Sequence, residues 1–216
     1  MKIIKIYVPK YIIILLGLAV MLNIGRIFLF ASDYYVYLLW NIVLAILPFI
    51  ISSMLLLRAQ KGKFNIAFFI IGGILWLLLI PNAPYIVTDL IHIHEQSRMP
   101  ILYDSFLLFS SALVGLILGM YSLSQIDQII RMKFKKFASS AIIAGIILFT
   151  SFGVYLGRFL RFNSWDIFNN PMTFINGVWN IFSQPNNIAQ ASVYTLLFFF
   201  FIYMSYGAWK NANIKI

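Results

Sequence analysis

Asp89 and His92 stand three positions apart in PNAPYIVTDLIHIHEQSRMPILYD, the segment from Pro81 to Asp104. On a helix, that spacing sets a carboxylate and an imidazole one turn apart, where they can share a proton or a metal ion. Tyr85, Asp89, His92 and Gln96 then fall on one face, with Asn82 as a cap and Pro84 tolerated in the first turn. The same residues read as a strand put His92 and His94 on one side, and the spacing allows either period, although the cap and the proline favour the helix. Asp89, His92 and His94, with Asp104 and Asp166, supply the imidazole and carboxylate ligands that suit a divalent metal such as zinc, manganese or iron. His94-Glu95 opens like a zinc-protease HExxH, but Arg98 occupies the place of the second histidine and excludes it. The chain has no cysteine, which removes thiolate nucleophiles, disulfides and cysteine-held metals.

A second segment, SFGVYLGRFLRFNSWDIFNNP from Ser151 to Pro171, carries the complementary charge. Tyr155, Arg158, Arg161 and Trp165 recur at helical spacing, and two guanidiniums on one stripe make a fork for carboxylate or phosphate, including a phosphorylated lipid headgroup. Asn163-Ser164 reads as a break, with Ser164 available to cap the next segment and Asp166 to pair with an arginine. With His92 as general acid or base, these residues sketch a membrane hydrolysis or phosphotransfer site. The bland alternative is structural: both arginines pair with Asp89, Asp104 or Asp166 and pin the two segments together. The chain holds no serine-glycine-histidine phosphatase element, no GxSG-like protease element and no pair of mid-span aspartates.

The elements that must position these residues are set by composition. Of 216 residues, 62% are hydrophobic and 10% charged, against roughly 25% charged in a soluble domain. Apolar runs at about 11–30, 34–57, 64–80, 105–123, 138–157 and 189–209 are long enough for a hydrocarbon core of about 30 Å, the third marginally so. They lack the alternation of barrel strands, so they predict helices. The basic stretch Met1–Tyr11 precedes a run with no small-residue cleavage pattern after Leu29, which marks a retained first helix. Lys2, Lys5, Lys10, Arg58, Lys61, Lys63, Arg131, Lys133, Lys135, Lys136, Lys210 and Lys215 collect on one side, and only Arg98, Arg158 and Arg161 on the other. The positive-inside rule then places both termini in the cytoplasm of a cell-membrane protein. The net charge of +10 is thereby explained by topology and contact with anionic lipid, and nucleic acid is not an expected partner. Asp33, Asp89, Glu95, Asp104 and Asp166, with both histidines, sort to the extracytoplasmic side, and Asp127 alone to the other. Arg26 lies near the outer end of the first span, where its side chain is expected to snorkel toward Asp33.

Three further features bear on packing and transport. Gly115/Gly119 and Gly153/Gly157 are GxxxG pairs that would let the fourth and fifth spans meet closely. Pro171 to Phe182 is amphipathic and too short to span, so it is expected to lie in the outer interface. Asn23, Asn41, Ser52, Ser53 and Pro48 are the mid-span polar or breaking residues a transporter would use, a thin set for coupled transport.

The stretches PNAPYIVTDLIHIH, Tyr103-Asp104 and YLGRFLRFNSWD (Tyr155 to Asp166) resemble the bacterial membrane-protein family catalogued as domain of unknown function 1361. The resemblance covers essentially the whole chain. It implies an integral membrane protein and marks Asp89, His92, Arg158, Arg161, Asn163 and Asp166 as family-motif positions, without roles. The expectation is thus an all-α polytopic bundle of about six spans with short interfacial helices, forming one transmembrane domain over 1–216. Its two outer segments are expected to converge on a polar cluster of Asp89, His92, Asp104, Arg158, Arg161 and Asp166. An enzyme acting on a lipid or envelope substrate, a small transporter, and a subunit or scaffold that binds other membrane proteins all remain open.

Overall fold

The computed structural model describes residues 10–30, 33–94 and 101–212, apart from the side chains of Tyr11 and His94. Lys2, Lys5, Glu95, Gln96, Arg98 and Lys215, which entered the charge sorting and the Tyr85 stripe, lie outside the described residues. All regular structure among the described residues is helical: α1 (Lys10–Phe30), α2 (Tyr37–Gln60), α3 (Ile66–Leu79), α4 (Asn82–Tyr85), a 3-10 helix η1 (Ile86–His94), α5 (Ile101–Arg131), α6 (Lys136–Phe159), α7 (Asp166–Asn169), α8 (Pro171–Ser183) and α9 (Pro185–Asn211). Among the described residues, six stretches are long and apolar enough to cross a bilayer: Ile12–Phe30, Tyr37–Gln60, Ile66–Ile93, Ile101–Arg131, Lys136–Phe159 and Pro185–Asn211. Phe28, Ile66 and Phe137 stand 83%, 78% and 88% exposed on them, which only an apolar solvent tolerates on this scale.

The helices form two compact units, one from the chain up to Lys133 and one from Phe134 onward. In the first, α5 is the hub, with 72% of its apolar window buried against 22% for α1. Helices α1 and α2 pack on α5, α3 packs on α2, and α4 and η1 lie against both α5 and α2. Small residues on α5 make this possible. A Cβ on Gly115 would sit 2.5 Å from the Ala83 carbonyl oxygen, and one on Gly119 would sit 3.1 Å from the Ala83 Cβ. The GxxxG pair of the fourth span is therefore a seat for α4.

Hydroxyls and amides lock the middle of this unit. Ser52 donates to Gln125 Oε1 at 2.6 Å, and Gln125 Nε2 donates to Ser53 at 2.9 Å. Ser122 accepts from Trp76 Nε1 at 2.7 Å and donates to the Pro48 carbonyl at 3.0 Å. α2, α3 and α5 are thus joined by donors and acceptors that satisfy one another where lipid could not. Asn23 back-bonds to Ala19 at 3.0 Å. Of the mid-span polar residues, Asn23, Ser52 and Ser53 thus bond within the bundle.

Helix α3 spans about 21 Å, too short for the core by itself. As expected it stops just before Pro81, but the apolar stretch continues through α4 and η1. Asn82 does not cap the next helix: its Nδ2 donates back to the Leu79 carbonyl at 2.9 Å, and Pro81 holds the N-cap position. Beyond Pro84 come the β-branched Ile86, Val87 and Thr88, and the Thr88 hydroxyl donates to the Tyr85 carbonyl at 2.7 Å. Stiff side chains and this local competition weaken the α-helical ladder, and the chain tightens to the 3-10 form. The strand reading of 91–94 is overturned, and the helical reading holds with a period of three.

In the second unit, α9 packs on α6 and α8. Its core is Tyr155, Leu156, Ile181 and Ala191, flanked by Phe152, Leu160, Phe174 and Val178. Helix α8 turns Phe174, Val178 and Ile181 inward, while Met172, Ile175, Trp179 and Phe182 remain bare along a second stripe. With 13 residues it is too short to cross a bilayer.

Gly115→Ala should push α4 off its seat and lower stability by about 1–3 kcal/mol, the usual cost of overpacking. Gly17→Ala meets no atom within 4 Å and should be neutral or stabilising. Thermal melts in mild detergent compare the two; equal melting temperatures would show that α4 is not seated on Gly115.

Candidate functional site

One end of the first unit is organised around a buried ion pair. Arg26 Nε donates to Asp104 Oδ1 at 2.7 Å and its Nη2 to Oδ2 at 3.0 Å, with the two side chains 1% and 3% exposed. Arg26 does not snorkel toward Asp33, because α5 brings a carboxylate to it inside the bundle. A bidentate partner compensates the buried guanidinium better than a stretched side chain at the interface would. The approach is close because Gly25 leaves room for Tyr103, whose hydroxyl donates to the Leu22 carbonyl at 2.7 Å. The long sequence separation of Arg26 and Asp104 hid this pair, and an arginine inside an apolar run was the one signal for it.

The pair is wired to η1 through Tyr35. The Tyr35 ring lies under the Arg26 guanidinium, 4.5 Å from the Arg26 Cζ to its centroid, and its hydroxyl donates to the His92 carbonyl at 2.9 Å. On a 3-10 helix, residues three apart eclipse one another, so Ile86, Asp89 and His92 form one stripe. Ile86 is fully buried, Asp89 is 2% exposed, and His92 is half-buried. Tyr85, expected on this stripe, ends α4 and falls off it. Asn41 of α2 donates to Asp89 Oδ2 at 3.0 Å. The structure thus keeps Asp89 and His92 one turn apart and adds Asn41 and Tyr35. Asp104 has a separate task, opposite Arg26.

Among the described residues no three His, Asp or Glu side chains cluster closely enough to hold a metal. Asp89 and His92 supply two ligands of the expected set, and the His94 side chain lies outside the described residues.

The other candidate residues belong to the second unit. Helix α6 ends at Phe159, so the stripe of Tyr155, Arg158, Arg161 and Trp165 is interrupted. Arg158 lies in its last turn. Arg161 lies past its end, exposed and left-handed with φ 56°. The chain reverses there, and the Phe162 N–H returns to the Leu156 carbonyl at 3.3 Å. Asp166 Oδ2 accepts from the Asn163 N–H at 2.7 Å and from its Nδ2 at 3.4 Å. The carboxylate reaches back to the start of its turn in the manner of a capping box, in place of the arginine pairing expected of it. The helix α7 has Trp165 at its N-cap and no side-chain cap bond, so Ser164 does not cap it as expected.

Among the described residues, six apolar helical spans, widely exposed apolar side chains and polar groups paired across helices define a polytopic, all-helical integral membrane protein. The chain belongs to the family described as "Protein of unknown function (DUF1361)", whose model matches residues 40–205. No curated protein and no solved structure matches it.

Replacing Asp104 by Asn, or Arg26 by Gln, strands a buried charge and should cost about 3–5 kcal/mol. The double replacement Arg26→Met/Asp104→Leu should recover most of that loss. If the double variant melts as low as either single one, the pair is not an isolated, compensating unit.

Proposed function

We propose that this protein acts at the membrane face opposite its termini, where Asp89 and His92 form a polar site for a phosphorylated lipid headgroup. His92 serves as the proton-exchanging group, and Asp89, held by Asn41, orients and balances it. The observation that carries this reading is Asp89, 2% exposed at the end of a span and one eclipsed turn from the half-buried His92. An ionisable pair kept at membrane depth is expensive and is retained where it performs a task. A nine-residue 3-10 helix is also far longer than the usual three or four residues, which marks a functional segment. Acid–base chemistry on a headgroup, by hydrolysis or phosphotransfer, is what this pair would support. A divalent metal would extend the same site, with Asp89 and His92 among its ligands.

Gently extracted wild-type protein should retain a phosphorylated lipid in native mass spectrometry. Asp89→Asn and His92→Gln should each lower that occupancy about tenfold while keeping a wild-type circular dichroism spectrum; tenfold corresponds to one charge-assisted hydrogen bond. Unchanged occupancy in both variants removes the site. It would favour the second reading, a scaffold or subunit that binds other membrane proteins, which the closed Arg26–Asp104 pair and the Ser52–Gln125 network support.

The proposed orientation, both termini cytoplasmic in the cell membrane, rests on the sorting of basic residues. The absence of cysteine makes it simple to check. A membrane-impermeant maleimide should label Asn170→Cys in intact cells, and Lys61→Cys only after permeabilisation. The reverse pattern would invert the topology and move the site to the cytoplasm.

A further inference from the structure

At the opposite end of the first unit, the bend from α2 to α3 meets the end of α5 around a recess of about 750 Å³, lined by Gln60, Lys61, Gly62, Phe64, Met132 and Lys133, among others. Gln60 is the last residue of α2 and only 9% exposed. Its Oε1 is buried and has no hydrogen-bond partner among the described residues. A buried acceptor left unmade costs about 1–3 kcal/mol, so its persistence points to a donor supplied from outside. The backbone at the bend offers none, because the Lys61, Gly62 and Lys63 N–H groups are spent on Leu57, Ala59 and Arg58.

The charges around the recess specify the remainder of the ligand. Arg58 stacks on Phe68, 4.0 Å from the ring centroid, and Arg131 donates to Asp127 at 2.8 Å. Lys61 and Lys133 line the recess itself, and Lys133 Nζ hovers 4.7 Å from the Phe64 ring centroid. Phe64 and Met132, 47% and 43% exposed, supply an apolar flank beside them. Two ammonium groups call for an anion, the buried oxygen calls for a hydroxyl, and the apolar flank calls for an attached chain.

We propose that this recess binds the headgroup of an anionic glycerophospholipid, with Lys61 and Lys133 on the phosphate and Gln60 Oε1 accepting a hydrogen bond from a headgroup hydroxyl. Phosphatidylglycerol has this chemistry. The site is independent of the Asp89–His92 stripe: it lies at the other end of the spans, and neither needs the other to be correct.

The test sets phosphatidylglycerol against phosphatidylmethanol, which carries the same single negative charge without the hydroxyls. Both are titrated into delipidated wild-type protein and followed by native mass spectrometry. Wild-type protein should bind phosphatidylglycerol about tenfold more tightly, the discrimination expected of one buried hydrogen bond. Gln60→Met, which keeps the length of the side chain, should bind the two lipids equally, as should Gln60→Leu, which serves if the first variant folds poorly. Lys61→Ala/Lys133→Ala should weaken both lipids together. A wild-type protein without preference, or a preference that survives both Gln60 variants, would overturn the proposal. Displacement of the lipid by an equal concentration of glycerol 1-phosphate would overturn it too, by assigning the recess to a soluble anion.

Discussion

A charge inside a bilayer has to bring its counter-charge with it, and the first unit is arranged around one such obligation. Arg26 sits near the end of α1, a helix that otherwise offers lipid an almost unbroken apolar surface. The bidentate contact with Asp104 ties α1 to α5, the hub of the unit. Tyr35 carries the tie onward, with its ring under the guanidinium and its hydroxyl on the His92 carbonyl. In lipid there is no hydrophobic force to hold helix against helix, so such contacts, together with close backbone packing, do what burial does in water. The pair specifies which helices meet and in what register more than it adds net stability.

The same constraint governs the uncharged groups. Ser52, Ser53, Ser122, Gln125 and Trp76 satisfy one another across three helices, and the backbone carbonyl of Pro48 joins them. Where two prolines and a β-branched run deny the chain a regular α-helix, it remains helical in the tighter 3-10 form, because an open backbone in hydrocarbon would cost several kcal/mol per group. That tightening has a functional consequence. A period of about 3.0 residues, not the α-helical value of about 3.6, decides which side chains share a stripe, and it sets Asp89 directly in line with His92 while turning Tyr85 away.

The two ends of the first unit therefore differ in chemistry as well as in charge. One end gathers buried carboxylates, an imidazole and tyrosines around the 3-10 helix. The other gathers lysines, aromatic rings and a buried amide oxygen at a helix bend. A rigid core of interlocked polar groups separates them. The DUF1361 family match covers Asn41, Asp89, His92 and Asp104, whereas Arg26 and Tyr35 lie before the matched residues.

The helical class and the six apolar spans were legible in the sequence, because each depends on composition and local period alone. So were the short amphipathic helix after Pro171 and the stop before Pro81, since these are set by side chains within one turn of each other. Partnership was not legible, and it had to wait for the packed helices. Arg26 looked like a snorkelling side chain because its partner lies far along the chain on α5. Gly115 and Gly119 announced a close approach, but only packing could say that Ala83 was what approached. Ser52 and Ser53 of α2 read as candidate mid-span polar groups, and only the packed helices paired them with Gln125 and Ser122, while Asn41 went to Asp89. Asp166 was expected to answer an arginine, yet its nearest donor was a backbone N–H three residues away, a contact that depends on how α6 ends at Phe159. Local geometry is written in neighbouring residues, whereas the choice among distant polar partners is made by which helices the whole fold brings together.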